Sequence, residues 1–410
     1  MKRSIVMCIS LFFSSVAFAD AAFDGVNAQI GVGVANLGSD SNWSHAGWGQ
    51  YKYGEKGVLA NISLGYSHKF DNQFNVATNT FYIFGSDKSG GRPDDGSTIY
   101  KTNDIWGVVF EPGYYFSENS LGFLKLGYAR ASSKYEDSTT RANYGNSDGF
   151  LYGLGFKQAF QDHIYFGAET YRIDFSKSDN VFNAAWSSNT NNKPSVTYGG
   201  ITLGYNFGSD HKYESNKNNQ PGAFNGINAQ FGLGFAEKSS EFNYPGGAPD
   251  RFDLSDKGAL SNISLGYSYN LNNQFNIAAN IFYTLGSNQA GEWRSGGYKW
   301  EIKDVWGISV EPGYYFTNSA LGYLKAGYAR TSSKSLTSGV WAGDDSNFGT
   351  SDGFLYGIGF KQLLTNNVYI GMETYQINFS KSKTVVSEGG WDVINKPALT
   401  YGGIMIGYKF

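Results

Sequence analysis

Residues 23–35 read FDGVNAQIGVGVA. Val26, Ala28, Ile30, Val32 and Val34 alternate with Asn27, Gln29, Gly31 and Gly33. A period of two puts these sets on opposite faces of a strand, one apolar and one small or polar. The pattern recurs along the chain. Ile62, Leu64 and Tyr66 alternate with Asn61, Ser63, Gly65 and Ser67, and Phe150, Tyr152, Leu154 and Phe156 with Gly149, Leu151, Gly153, Gly155 and Lys157. Runs of about ten such residues suit strands that cross a bilayer. The polarity is the reverse of a soluble barrel, whose interior would be the apolar side.

Eight segments of this kind fall near 24–36, 59–70, 73–84, 104–116, 121–132, 149–159, 164–176 and 195–207. Their connections alternate. Short ones lie at Asp71-Asn72, Ser117–Ser120 and Gln161–His163, and long polar ones at 37–58, 85–103, 133–148 and 177–194. Short turns on one side and long loops on the other are expected of a transmembrane antiparallel up-and-down β-barrel. Aromatic residues crowd the strand ends, as interfacial girdles require: Phe70, Phe74, Tyr114, Phe116, Phe160, Tyr165 and Phe207 at one rim, and Tyr82, Phe84, Tyr128 and Phe175 toward the other.

The unit then returns. FDGVNAQIGVGVA reappears from Phe224 as FNGINAQFGLGFA, EPGYYF of Glu111 at Glu311, SDGFLYG of Ser147 at Ser351, and TYGGITLGYNF of Thr197 at Thr400 as TYGGIMIGYKF. The offset drifts only within polar stretches, where insertions are tolerated. Residues 20–207 and 223–410 are therefore read as two tandem eight-stranded units. Residues 208–222, GSDHKYESNKNNQPG, are read as a polar periplasmic linker. Sixteen strands can also close as one sixteen-stranded barrel. The distinction matters, because eight strands enclose a side-chain-filled interior and sixteen leave an aqueous channel. The linker length, the matching GYNF and GYKF ends and the glycine-rich inward faces favour two units.

Residues 1–19, MKRSIVMCISLFFSSVAFA, form a basic start, an apolar core and a small-residue cleavage site, which is a secretory signal peptide. Its loss would remove Lys2 and Arg3 and take the net charge from -3 to -5. That acidity argues against nucleic acid as a partner. The sole cysteine, Cys8, lies in the signal, so no disulfide framework is expected. Aromatic residues make up 17%, with 54 Gly against 8 Pro, a composition closer to membrane barrels than to ordinary soluble domains.

The opening FDGVNAQIGVGV, the GYYF-turn-LKLGYAR hairpin and the closing GYNF and GYKF resemble the opacity-type and OmpA/OmpX-type outer-membrane β-barrel family, also called porin-family barrels. The resemblance covers nearly the whole mature chain, twice. It implies a Gram-negative outer-membrane location. It also implies that the terminal Phe410 is a recognition signal for the outer-membrane assembly machinery. The family spans adhesins, stabilising proteins, enzymes and small pores, so fold alone does not fix the activity.

Strand parity turns Glu111, Lys125 and Lys157 inward, and Glu169 with them if a bulge lies nearby, since Tyr171, Ile173 and Phe175 share its register. Glu311, Lys325, Lys361 and Glu373 match them. Two acids and two bases in a narrow interior are expected to neutralise each other, because each unpaired charge would be costly. The other reading is a charged constriction that selects solutes. Arg130, Lys134 and Lys177, with Arg330, Lys334 and Lys381, end strands at the long-loop rim. The strand spacing of ~4.8 Å places the two ends of each set about 10 Å apart. Such a basic rim would suit lipopolysaccharide phosphates.

No catalytic, cofactor or metal site is read. His45, His68, His163 and His211 have no counterpart in the other copy. The acidic runs Pro93-Asp94-Asp95 and Gly343-Asp344-Asp345 lack the ligand spacing of a calcium loop. The expected role is structural, adhesive or surface-interacting, with loops such as 37–58 and 85–103 meeting host or surface ligands. The alternative is a diffusion porin for small hydrophilic solutes. Outer-membrane lipids and lipopolysaccharide are the expected partners in either case.

Overall fold

The computed structural model describes residues 22–44, 49–70, 72–92, 98–136, 141–183, 187–207, 223–243, 251–286, 289–293, 297–337, 345–383, 385–386 and 392–410. The signal segment 1–19 and the linker 208–222 lie outside the described residues, as do His45, His211, Asp94 and Asp95. Everything regular in the described residues is strand. The N-terminal half holds β1 (Gly25–Trp43), β2 (Gly49–Lys69), β3 (Phe74–Gly85), β4 (Lys88–Arg92), β5 (Thr98–Ser117), β6 (Ser120–Glu136), β7 (Arg141–Ala159), β8 (Ile164–Phe175), β9 (Val181–Asn183) and β10 (Ser188–Asn206). The C-terminal half holds β11 (Gly226–Asn243), β12 (Arg251–Asn270), β13 (Phe275–Gly286), β14 (Gln289–Trp293), β15 (Tyr298–Thr317), β16 (Ala320–Thr337), β17 (Ser346–Leu363), β18 (Val368–Phe379), β19 (Val385–Val386) and β20 (Asp392–Lys409).

All pairings are antiparallel, and every long strand is bonded along both sides. β1 pairs β2 from Gly25↔Ser67 and β10 from Asn27↔Asn206. β11 pairs β12 from Gly226↔Ser268 and β20 from Asn228↔Lys409. The result is an all-β barrel architecture without free edges on its long strands. Through the middle of β1–β3, β5 and β6 the alternation holds as read, whereas in β7 it is lost from Tyr152 onward and Phe156, read as outward and apolar, is buried. Ile30, Leu64 and Leu124 are more than half exposed on the outward face, while Gln29, Asn61, Ser63 and Asn79 are buried on the inward one.

The strands outrun the sequence reading at the long-loop end. β1 continues from 36 to Trp43 and β2 begins at Gly49 rather than 59, with Ser39 opposite Tyr53. Much of the stretch read as loop 37–58 is therefore strand. Ala35 to Ser39 are buried without alternation, because both faces of β1 are covered there, so the period of two is lost.

β8 corrects a second expectation. Its pairs with β7 and β10 run without a register shift, so no bulge accompanies Glu169. Glu169, Tyr171, Ile173 and Phe175 all face inward and are buried. Phe175 and Tyr165, read as girdle residues, belong to this buried interior. The parity looked mixed because the outward face of β8 is not an apolar face: Thr170 and Arg172, on that face, are also buried. The C-terminal half covers them.

That contact is reciprocal. A Cβ on Gly199 would overlap the hydroxyl of Thr374, and one on Gly402 would overlap the hydroxyl of Thr170. Phe156 and its counterpart Phe360 also stack on each other across the contact. Glycine is needed at 199 and 402 because a facing side chain occupies the space. Further along, the halves share backbone pairing at Leu254↔Tyr53, Asp253↔Gly91 and Glu292↔Lys52. One aromatic cluster there draws on both, with Tyr51, Tyr53, Tyr100 and Tyr135 from the first half and Phe252 and Trp300 from the second. We expect Gly199→Leu to overpack this contact and lower stability by about 1–3 kcal/mol. A lowered midpoint of thermal unfolding in detergent, relative to the outward-facing control Ile30→Leu, would show it.

Candidate functional site: buried charge chains and the contact between the halves

The inward face of the N-terminal half carries three layers. Near the short turns lie Phe23, Tyr115, Leu121 and Tyr165. Toward the other end lie Leu37, Leu59, Phe81, Ile105 and Tyr198. Between them sit the charges. β5 supplies Glu111, β6 Lys125, β7 Lys157 and β8 Glu169, one from each of four adjacent strands. They form a zigzag of alternating sign: Lys157 Nζ to Glu111 is 3.1 Å, Glu111 to Lys125 Nζ 3.2 Å, and Lys125 Nζ to Glu169 2.6 Å. No side chain of the four is more than 5% exposed. Asn79 donates to Glu111 Oε2, the oxygen that Lys157 also meets, Asn61 donates to the Glu169 oxygen that Lys125 leaves open, and Lys157 lies 4.7 Å above the Phe123 ring.

The C-terminal half repeats the arrangement. Lys361 to Glu311 is 2.9 Å, Glu311 to Lys325 3.4 Å and Lys325 to Glu373 2.6 Å. Asn262 and the Tyr323 hydroxyl donate to Glu373. The eight residues singled out by parity therefore come together as two separate chains of four. Each chain is neutral as a whole, which is the condition under which buried charge is tolerable. Both lysines already meet carboxylates, and the flanking layers are packed: the turn-side one mixes Phe23, Tyr115 and Leu121 with buried Asn27, Gln29, Ser67 and Asn75.

The basic rim is less uniform than the sequence suggested. Arg130 faces Asp148 at 3.8 Å, and Arg330 meets Asp352 at 2.7 Å. Lys134 lies 3.3 Å from Glu136, and Lys334 lies 3.7 Å from Glu301. Lys177 and Lys381 are exposed. β7 and β17 bring an acid between the basic strand ends, so the rim mixes signs. His68 lies 3.5 Å from Asp24, and Asp345 accepts from Thr337. Among the described residues no group of three His, Cys, Asp or Glu side chains could hold a metal ion.

A second polar set was not read from sequence. Lys52 bridges to Asp256 at 3.2 Å and Glu292 at 3.5 Å, while Lys257 bridges to Asp174 at 3.3 Å and Asp40 at 3.6 Å. All four pairs join one half to the other. Arg172 is held by Asp174 at 3.0 Å and by the Thr197 hydroxyl. A signal existed: Arg172 and Asp174 fall on the β8 face that should meet lipid, where charge is expensive unless protein covers it. Burial works against the charge of Lys52, but Asp256, Glu292 and Asp40 outweigh it and hold its pKa above the ordinary value. Burial pushes the Asp253 carboxyl up to about 7 against the pull of Arg251, with Glu55 and Glu241 adding to the rise.

Two expectations follow from these charges. Lys125→Met leaves Glu111 and Glu169 short of a partner and should cost about 3–5 kcal/mol. Adding Glu169→Gln should recover part of that loss in the thermal midpoint; no recovery would mean that Lys125 acts by packing alone. The raised Asp253 pKa means that the folded state holds its proton more tightly than the unfolded chain. Its contribution then grows as pH falls from above 7 toward the unfolded carboxylate value of about 4. The thermal midpoint at pH 5 should exceed that at pH 8 by several degrees, and Asp253→Asn should shrink the difference.

No family model and no curated protein matches the chain. Solved structures do. A FadL homologue of Pseudomonas aeruginosa is 12% identical over 94% of this chain and 91% of its own, with a TM-score of 0.28. The toluene transporter TodX of Pseudomonas putida is 10% identical over 94% and 90%, with a TM-score of 0.29. Ail, the attachment invasion locus protein of Yersinia pestis, is 16% identical over 44% of this chain and 99% of its own, with a TM-score of 0.27. These likenesses are faint.

Proposed function

We propose that the chain is an integral outer-membrane protein built of two tandem eight-stranded β-barrels, 20–207 and 223–410, with a structural, adhesive or surface-interaction role. The observation that carries this reading is the filled interior of each half: a neutral four-residue charge chain between two packed layers of side chains. A barrel packed in this way has no continuous water path for solutes. The pairings β1–β10 and β11–β20 support two closures, since each uses up the edge that a sixteen-stranded ring would need to join the halves. The outward apolar belt supports the membrane setting.

On this reading residues 1–19 direct export, and Phe410, 69% exposed, serves the assembly machinery. The mixed-sign rim of Arg130, Lys134 and Lys177, with Arg330, Lys334 and Lys381, meets lipopolysaccharide. No catalytic role is assigned. The extended strand ends beyond the belt present the surface that outside ligands would meet. The competing reading, a diffusion porin with one sixteen-stranded pore, makes the opposite electrical prediction. Purified full-length protein in a planar bilayer should fold, shift mobility on heating and stay electrically silent. Large stepwise conductance would replace the proposal with the porin.

A further inference from the structure

The contact between the halves is two-fold in plan but not in detail. On one flank of the Phe156–Phe360 stack, Phe166 of β8 approaches Phe316, with ring centroids 6.3 Å apart. Phe316 in turn lies 6.4 Å from Phe360, so the aromatic packing continues across that flank. On the other flank Phe116 and Phe156 keep the corresponding spacing, 6.5 Å. There, however, the residue matching Phe166 is Ile370. Isoleucine lacks the ring that would continue the stack. A groove of about 380 Å³ opens there between the halves, within the ~300–1,000 Å³ range of ligand pockets.

The groove has a definite shape and chemistry. Phe116 and Phe156 line it from the first half, and Ile370, Met372 and Ile404 from the second. Gly113, Gly122, Gly155 and Gly371 also line it. It lies beside the short turn that joins β5 to β6, among the outward apolar residues.

We infer that this groove is a binding site for one acyl chain of a glycerophospholipid, held between the two barrels. The inference rests on the proposed membrane reading. The groove is continuous with the lipid-facing belt, so hydrocarbon is the medium at its mouth. Its walls are almost wholly apolar, so a polar or charged ligand would lose its hydration without replacement. Short turns face the periplasm in barrels of this kind. The adjacent leaflet is the phospholipid one, which sets a glycerophospholipid ahead of lipopolysaccharide as the source. The filled flank shows how the site can be closed, since one phenylalanine in place of isoleucine restores the aromatic packing.

The test is native mass spectrometry of the full-length protein extracted from outer membranes in mild detergent. It is followed by delipidation and titration with phosphatidylethanolamine. The wild type should retain one phospholipid per chain and rebind one after delipidation. Ile370→Phe should reduce occupancy at least fivefold, and Ile404→Phe, on another wall, should do the same. Equal occupancy in both variants, no retained lipid in the wild type, or a lipopolysaccharide adduct in its place would overturn the inference. Heat-modifiable mobility separates this from failure of the membrane-barrel reading. A barrel that folds in detergent but holds no lipid removes the site alone, whereas a chain that shows no such mobility removes both.

Discussion

Everything in this chain hangs on the pairing of the first strand of each half with the last. In hydrocarbon a strand edge has no water to satisfy its N–H and C=O groups, and each unpaired group costs several kcal/mol. β1 meets β10 over seventeen residue pairs, Asn27↔Asn206 through Trp43↔Thr190, and β11 meets β20 over a similar length. That closure dictates the rest. It fixes which residues look inward, and it brings Glu111, Lys125, Lys157 and Glu169 of four adjacent strands together. The neutral charge chains are the answer to that proximity, because acids and bases of adjacent strands arrive within bonding distance whether or not they are paired.

The contact between the halves obeys a different rule. Within a lipid belt, apolar surface gains little by leaving lipid for protein, so association depends on close fit and on polar groups that find partners. Both devices are present. Gly199 and Gly402 admit Thr374 and Thr170, and Lys52, Lys257, Asp174 and Asp256 tie the strands together farther out. The aromatic cluster shared by Tyr53, Tyr100 and Trp300 adds a conventional core outside the belt.

How much of this the sequence disclosed depends on whether one face of a strand met lipid. Where it did, as for Ile30, Leu64 or Leu124, the period of two is plain and the inward residues follow from counting. Glu111, Lys125 and Lys157 fall on the inward face by that count, and so do their matches in the second half. Where protein covered both faces, the period failed. Residues 37–43 and 49–57 read as loop because Ser, Gly, Asn and Lys stand on either side of a strand that extends beyond the belt. β8 appeared to need a bulge because Arg172 and Asp174 occupy outward positions that only a second protein surface makes affordable. Long-range facts, such as Phe156 against Phe360 or Leu254 beside Tyr53, leave no local trace at all.

The halves touch at two heights, through rings and glycines in the belt and through shared backbone pairs beyond it. Two attachment points along the strand direction remove the rocking freedom that a single contact would leave. If the chain spans a bilayer as proposed, the pair tilts as one unit, and any thickness mismatch falls on its common perimeter rather than on either half separately. On the proposed reading the membrane meets one joined body rather than two independent barrels.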